Sequence, residues 1–508
     1  MNVKYVQIMN IRVDSDVHFM NPFRVERPNM GLFVLEAAIH QDCGSVPEFG
    51  SGRTSEIQTR PPEIMTIIKK FIKTCGRLAI EVMSAIFIFI NSVVFLALLA
   101  VRSGRLRRYD IIVVPSQSIN FGNTVYVPDI MRRTHRGKAI LFIIPWDKGS
   151  GPNPATGSIF PDVSIWFFKL FMLRFTLLGK KIAFPHPNAA DRVFHRIFGL
   201  LAPILAPRAE FLDWKQAKLM PIPDELRPLM KDGPEFPFWN LGIHSWLQRK
   251  ISVPRLSLPE EKRRRIHDRL AEARKGEGGD GETKLCIFYS CWRDHQEFHF
   301  RTSAHPDSYV PAFRFLVSRG YQVMMTGDME MSPGCRREFG GMVVDAESLG
   351  VDRKTFLVFA GTEADLFIGD EGGGNVMPSI NGAPILILNA CPLGGNVNEA
   401  CVFPKKCTDE DGHVLSLDEI VETKDLGSLT PELKFYPNTE DEILEAVEFF
   451  LAEIEGSSPV CESLCLGEIF PDHLYFVLSR IRLSKAYVRR FCPELLPAHD
   501  DPGENVAV

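Results

Sequence analysis

No C-x-x-C pair occurs among the eleven cysteines of this chain, which scatter from Cys43 to Cys492. The closest are Cys461 with Cys465 and Cys286 with Cys291. That spacing sets aside the common zinc motifs and a compact disulfide framework, and it fits a reducing, cytosolic setting. Excess charge is also missing. The formal net charge is −5, so no global basic field argues for nucleic acid as a partner. No repeat of fixed period is visible, which sets aside repeat arrays. No acidic metal motif is apparent, so no metal is expected. What remains is an ordinary globular composition, 45% hydrophobic and 24% charged over 508 residues, with room for two or three domains.

One stretch departs from that pattern. Val82 to Val101 runs for twenty residues without a charge, about the length a helix needs to cross a bilayer core. Ser84, Asn91 and Ser92 are its polar interruptions. Lys69, Lys70, Lys73 and Arg77 precede it, and Arg102, Arg105, Arg107 and Arg108 follow, so flanking charge does not set an orientation. A buried core helix is the alternative; a membrane anchor is the reading adopted. The run lies too far along the chain for a conventional signal peptide. Residues 1–64 show no sustained period, and Met65 opens a basic, apolar lead into the run. The natural chain is therefore expected to begin at Met65.

Short apolar strands alternate with helical segments along the rest. Tyr109–Val114 and Ala139–Ile144 read as strands, with a helix from Pro128 to Arg136 between them. Residues 165–181 and 192–207 are aromatic and basic, and read either as core helices or as patches touching an anionic membrane. Pro259 to Lys275 reads as a charged helix, and GEGGDG at 276–281 as a flexible break. A second unit starts at the strand Lys284–Tyr289, with further strands at Tyr321–Met325, Met342–Asp345, Ala364–Ile368 and Ile385–Leu388 and helices at Ser308–Arg319 and Asp441–Ala452. The division expected is 1–64 extension, 65–104 basic flank and anchor, 105–258 first α/β domain, 259–283 linker, 284–455 second α/β domain and 456–508 helical tail. Two α/β halves joined by a linker make a cleft suited to a nucleotide.

The segment from Leu366 to Asn389 carries the most chemistry. A strand runs into Gly372-Gly373-Gly374, a helical turn follows, and Gly382-Ala383-Pro384 leads into the next strand. Glycines between a strand and a helix let a phosphate or diphosphate approach backbone N–H groups. A plain turn is the ordinary alternative.

The second half resembles a family of bacterial glycosyltransferases recognised mainly by sequence. The likeness rests on Arg293-Asp294, Arg301 with Tyr309, Gly320-Tyr321, Gly327-Asp328, the triple glycine and Gly382-Ala-Pro384. Phe403-Pro-Lys-Lys406, Leu415 to Glu419 and Ser484 to Leu496 also fit. Upstream, Asn120-Phe-Gly-Asn123 and Asp129 to Arg133 look like the family's first loop and helix. The resemblance covers roughly residues 105–496 and is thin between 150 and 255. It implies an α/β fold of GT-B-like architecture, two Rossmann-like domains facing a cleft. It further implies a nucleotide-sugar donor as substrate, no cofactor, and a glycan or lipid-linked acceptor. With the anchor at Val82 to Val101, the expected place is the inner (cytoplasmic) membrane, with the catalytic domains facing the cytosol, where nucleotide sugars are available. Two departures stand out. Asp370 and Glu371 replace the family's Ser or Thr, and carboxylates beside a diphosphate repel it, so Glu371 is expected to hold donor hydroxyls instead. Glu371-Gly-Gly-Gly374 also looks like the loop of retaining glycosyltransferases, but their second Glu, eight positions on, is here Ser379.

Sugar transfer builds negative charge on the departing diphosphate, so fixed donors must face it. Arg293 and Arg301 are the candidates, since guanidinium matches phosphate with paired hydrogen bonds. Gly372, Gly373, Gly374 and Asn375 are expected to cradle the phosphates, with Asp328 and Glu371 on the same donor side. Asn120, Gly122 and Asn123 are expected to line the acceptor side. A general base is sought among Asp294, His295, His299 and Asp129. Two other functions stay open: a nucleotide-sugar epimerase of the same fold, and an inactive membrane-tethered protein that binds glycan or nucleotide.

Overall fold

The computed structural model describes residues 63–117, 119–146, 152–177, 180–184, 187–218, 239–275, 283–290, 303–328, 331–391, 393, 399–422, 433–456 and 464–496. It begins with a long helix, α1 (Glu63–Leu106). Within it Ile80–Leu106 is long and apolar enough, by length and composition, to cross a membrane, and only 17% of its most apolar window is buried.

The first sheet holds β1 (Ile111–Val113), β2 (Ile140–Trp146), β3 (Val163–Lys169) and β6 (Glu210–Leu212) in the order β3-β2-β1-β6. All its pairs are parallel. A separate antiparallel pair, β4 (Leu173–Leu177) with β5 (Lys180–Phe184), follows β3. Residues 165–181 are thus strands and not a helix. Along β3 and just beyond it, Val163 and Ile165 enter one apolar cluster while Phe168 and Leu170 enter another. This is period-two alternation with both faces apolar, which hides it from a pattern search. β1 and β2 divide the same way: Ile111, Val113, Ile140 and Phe142 face one cluster, and Ile112, Val114, Leu141 and Ile143 the other.

On the second of these faces lie α1 and α3 (Pro187–Leu205), which contributes Phe194 and Phe198. On the first lie α2 (Asn123–Thr134) and α4 (Trp239–Lys250). α2 starts five residues before Pro128, because the Asn120 side chain accepts the Asn123 N–H at 2.8 Å and turns the chain there. Pro128 is tolerated inside the helix at the loss of one backbone bond.

After α5 (Glu260–Ala273) comes an eight-stranded sheet in the order β15-β16-β12-β11-β10-β7-β8-β9. Its central strands are β7 (Lys284–Ser290), β8 (Tyr321–Gly327), β9 (Val343–Val344), β10 (Leu366–Asp370), β11 (Ile385–Ala390) and β12 (Cys401–Pro404). All pair in parallel. Beyond the antiparallel ribbon β13 (Lys406–Thr408) with β14 (Lys434–Tyr436), the edge strands β15 (Leu464–Cys465) and β16 (Arg482–Leu483) are antiparallel to each other. Counted from β7, the six central strands run 3-2-1-4-5-6, the order of a doubly wound nucleotide-binding sheet. The helices between them include α6 (Val310–Ser318), α7 (Arg353–Glu363) and α8 (Val376–Asn381).

One continuous buried cluster joins the inner face of the first sheet to the second. Polar ties reinforce it. Asn381, at the end of α8, accepts the Leu256 N–H and donates to the carbonyls of Leu256 and Thr362, each at 2.9 Å. Asn153 donates to the Lys354 carbonyl at 2.9 Å.

Candidate functional site

A doubly wound sheet binds ligands at the carboxyl ends of its strands, where the order reverses. In the larger sheet that point lies between β7 and β10. The loop leaving β10 is Glu371 to Asn375. Arg293, Asp294, His295, His299 and Arg301 follow β7 in sequence and lie outside the described residues. The smaller sheet repeats the pattern: its order reverses at β1, whose following loop holds Asn120 to Asn123.

These two loops meet. A Cβ added at Gly373 would stand 2.8 Å from the Gly122 backbone nitrogen and 3.0 Å from its Cα. Gly374 rests instead on the ring of Tyr289 from β7, where an added Cβ would come within 2.6 Å of Cδ2. Close packing therefore accounts for both glycines before any ligand is considered. Gly122, Gly374 and Asn375 are buried, Glu371, Gly372, Gly373 and Asn123 half-buried, and Asn120 exposed. The Asn375 Nδ2 is buried with no hydrogen-bond partner among the described residues.

Behind the loop, Asp370 points into the protein and not toward a ligand, so the repulsion expected of it does not arise. It is 4% exposed, and its Oδ1 accepts from Tyr309 Oη at 3.1 Å and from Asn389 Nδ2 at 2.8 Å. Burial, with the Asp370 charge, holds the Tyr309 phenol well above its ordinary range, so it stays a donor. Asn389 takes a left-handed backbone, φ 51°, and exchanges bonds with Asn438: each backbone N–H meets the other's side-chain oxygen, at 2.5 and 2.6 Å. Sequence reading noted Tyr309 and Asp370 separately but missed that they touch, and it missed Asn389 and Asn438 altogether.

Lys405, at the end of β12, is buried, and its N–H donates to the Ala390 carbonyl at 3.1 Å. Burial pushes the neighbouring Cys391 thiol up, while Lys405 lowers it and Glu371 raises it. Lys405 and Glu371 are therefore both within electrostatic reach of one point at this end of the sheet. Asp328 lies one strand to the other side, exposed at the end of β8. It is 3.8 Å from Arg353, and its N–H donates to the Ser290 carbonyl at 2.8 Å.

Asp129 is not available as a base. It is fully buried in α2, its two oxygens accepting from Arg132 Nε at 2.7 Å, Arg133 Nε at 2.6 Å and His244 Nε2 at 2.8 Å. Burial alone would raise its carboxyl. The hydrogen bond and charge of His244, with the charges of Arg133 and Arg132, outweigh this and hold it far below the carboxylate range. Arg132 also donates to the Pro254 carbonyl at 2.9 Å, and Arg133 to that of Ile251. The hub thus fixes the helix that carries the Asn120–Asn123 loop. Glu363 is likewise a structural partner, 3.1 Å from His267 and 3.4 Å from Arg263. Among the described residues no group of three or more His, Cys, Asp or Glu is placed to hold a metal ion.

No protein-family model matches the chain, and no curated protein matches it. Among solved structures it is similar to a glycosyl transferase family 9 protein from Veillonella parvula DSM 2008, at 15% identity and a TM-score of 0.41. That match covers 68% of this chain and 98% of the other. It is also similar to E. coli ADP-heptose lps heptosyltransferase II, at 10% identity and a TM-score of 0.34 over 68% and 99% of the two chains. With the wall teichoic acid polymerase TagF the identity is 10% and the TM-score 0.21, over 59% and 79%. At these scores the fold assignment rests on strand order and connectivity alone.

Proposed function

We propose that the chain is a membrane-associated glycosyltransferase, taking a sugar from a nucleotide-sugar donor and passing it to a glycan or lipid-linked acceptor at the inner (cytoplasmic) membrane, with its catalytic part facing the cytosol. The observation that carries the reading is the 3-2-1-4-5-6 sheet with the glycine-rich loop leaving β10 at its switch point. The facing loop from β1 sits directly against it. In this reading the donor diphosphate lies beside Glu371 to Asn375, where the Asn375 amide offers a buried, unpartnered donor. Arg293 and Arg301 supply paired hydrogen bonds to the charge that builds on the leaving diphosphate. Lys405 adds a buried cation to the same edge, and Glu371 accepts from donor hydroxyls. The acceptor enters past Asn120 to Asn123, and Asp294, His295 or His299 takes its proton.

A panel of nucleotide sugars read by thermal shift tests donor binding, since a ligand of the folded state raises apparent stability. Replacing Arg293 or Arg301 by Ala should then lower transfer on the order of 10²–10³-fold in a protein that still folds. A folded double variant with full transfer activity removes both from the site, and release of a sugar epimer without transfer points to the epimerase.

A further inference from the structure

The apolar helix α1 has two faces with different surroundings. From Asn91 onward one stripe is built into the protein. Asn91 is fully buried, donating to the carbonyls of Phe87 at 2.8 Å and Phe171 at 2.9 Å, and accepting the Phe171 N–H at 2.8 Å. Phe95 is fully buried too, its ring centroid 5.3 Å from that of Phe168 and 4.9 Å from that of Phe194. Leu99 and Leu106 continue the stripe into the cluster beneath β1 and β2. The other face is apolar and open: Phe89 is 69% exposed, Val93 49% and Leu96 41%. On the same side of the sheet, Phe171 is 55% exposed, and Leu200 and Ile204 of α3 are 79% and 70% exposed.

Length decides what this helix can do. A helix rises about 1.5 Å per residue and a bilayer core is about 30 Å thick, so a crossing needs about 20 apolar residues. The charge-free run Val82 to Val101 has that length, but its second half is the docked half. The part ahead of Asn91, Val82 to Ile90, reaches roughly 14 Å, under half the core. Crossing and docking therefore compete for the same residues. A spanning α1 would pull Phe95, Leu99 and the Asn91 amide out of the protein and uncover the part of the outer face of β1 and β2 that α3 does not reach.

We propose that α1 stays docked and does not cross the bilayer. Its open face, with Phe171, Leu200 and Ile204, enters one leaflet of an anionic membrane, and both chain termini remain on the same side. The proposal rests on the membrane reading above and specifies its mode. Charge selects the lipid. Arg105, in the last turn of α1, and Arg107 and Arg108 just after it are exposed, and Lys169 is exposed beside Phe171. On α3 the exposed residues Arg192, Arg196, Leu200 and Ile204 follow one another at four-residue intervals, so one row turns from basic to apolar along the helix. A basic, apolar surface of this kind suits an anionic headgroup layer over acyl chains.

The test uses the full chain with an epitope at each end, synthesised in the presence of sealed phosphatidylcholine–phosphatidylglycerol vesicles. The complex is floated on a density gradient and treated with external protease. The expected result is flotation with both epitopes digested. Flotation with one epitope protected until detergent is added overturns the docked mode and leaves the membrane reading standing. Failure to float overturns the membrane reading itself. A second arm replaces Leu200 and Ile204 by Asp, which leaves α1 untouched. Vesicle retention should fall at least about tenfold for each apolar side chain lost, with an unchanged melting profile because both residues are exposed. Undiminished retention refutes the part given to α3, and loss of a dimer in place of retention assigns that face to a second copy of the chain.

Discussion

Replacing Asp129 by Asn changes one atom type and keeps the shape, yet it removes the charge at the centre of the α2 hub. Arg132, Arg133 and Asp129 are each under 5% exposed, so Arg133 would be left buried without a carboxylate and Arg132 with Asp162 alone, 3.3 Å away. Breaking a buried pair in this way destabilises by about 3–5 kcal/mol. The effect should be local first, because Arg132 and Arg133 tie α2 to the carbonyls of Pro254 and Ile251. Hydrogen exchange of the amides in 123–134 and 251–254 is the direct readout, with exchange there accelerated by the equivalent of that free energy and β10 and β11 nearly unaffected. A second substitution, Arg133→Met, removes the cation left without a carboxylate and should recover part of the loss. Exchange in α2 within about 0.5 kcal/mol of the parent, the range of an ordinary surface change, would refute the view that this hub holds the loop-bearing helix.

Acid should act on the same hub. The folded Asp129 carboxyl lies far below its unfolded value, so its stabilisation is present above about pH 4 and declines as pH falls further, when only the unfolded chain takes up the proton; urea midpoints at pH 5 and 3 should separate more for the parent than for Asp129→Asn. Gly373→Val should force the two loops apart, since its Cβ meets Gly122 backbone atoms at 2.8 and 3.0 Å that no rotamer can relieve. A destabilisation of about 1–3 kcal/mol with weakened donor binding is expected, and a fully stable variant would mean the loops do not touch in solution. Tyr309→Phe removes a donor to buried Asp370 and should destabilise by about 1.5–3 kcal/mol, measured by denaturant unfolding.

The second sheet was readable in the sequence because its strands are short apolar runs bounded by glycine and polar turns; β7, β8, β10 and β11 each fall within a few residues of the segments expected. The first sheet was harder. β3 is apolar on both faces, so its alternation carries no contrast, and residues 165–181 read as helix as easily as strand. The glycine-rich loop was visible, but not that Gly374 sits on Tyr289 and Gly373 on Gly122, because those contacts join positions far apart along the chain. The same holds for Asp129, whose buried partner His244 lies 115 residues away. Asp370 shows the general difficulty: a carboxylate at a strand end looks like a ligand-facing group until its buried partners are seen.

The contact between Gly122 and Gly373 carries a consequence for how this sequence can vary. At each position the tightest contact is the other's main chain, which cannot swing aside as the end of a side chain can. Their smallness is therefore a joint property: enlarging one changes what the other must be. Among relatives with the same juxtaposition, the two sites should change together or not at all. A lone side chain at either should mark a protein whose two sheets stand further apart.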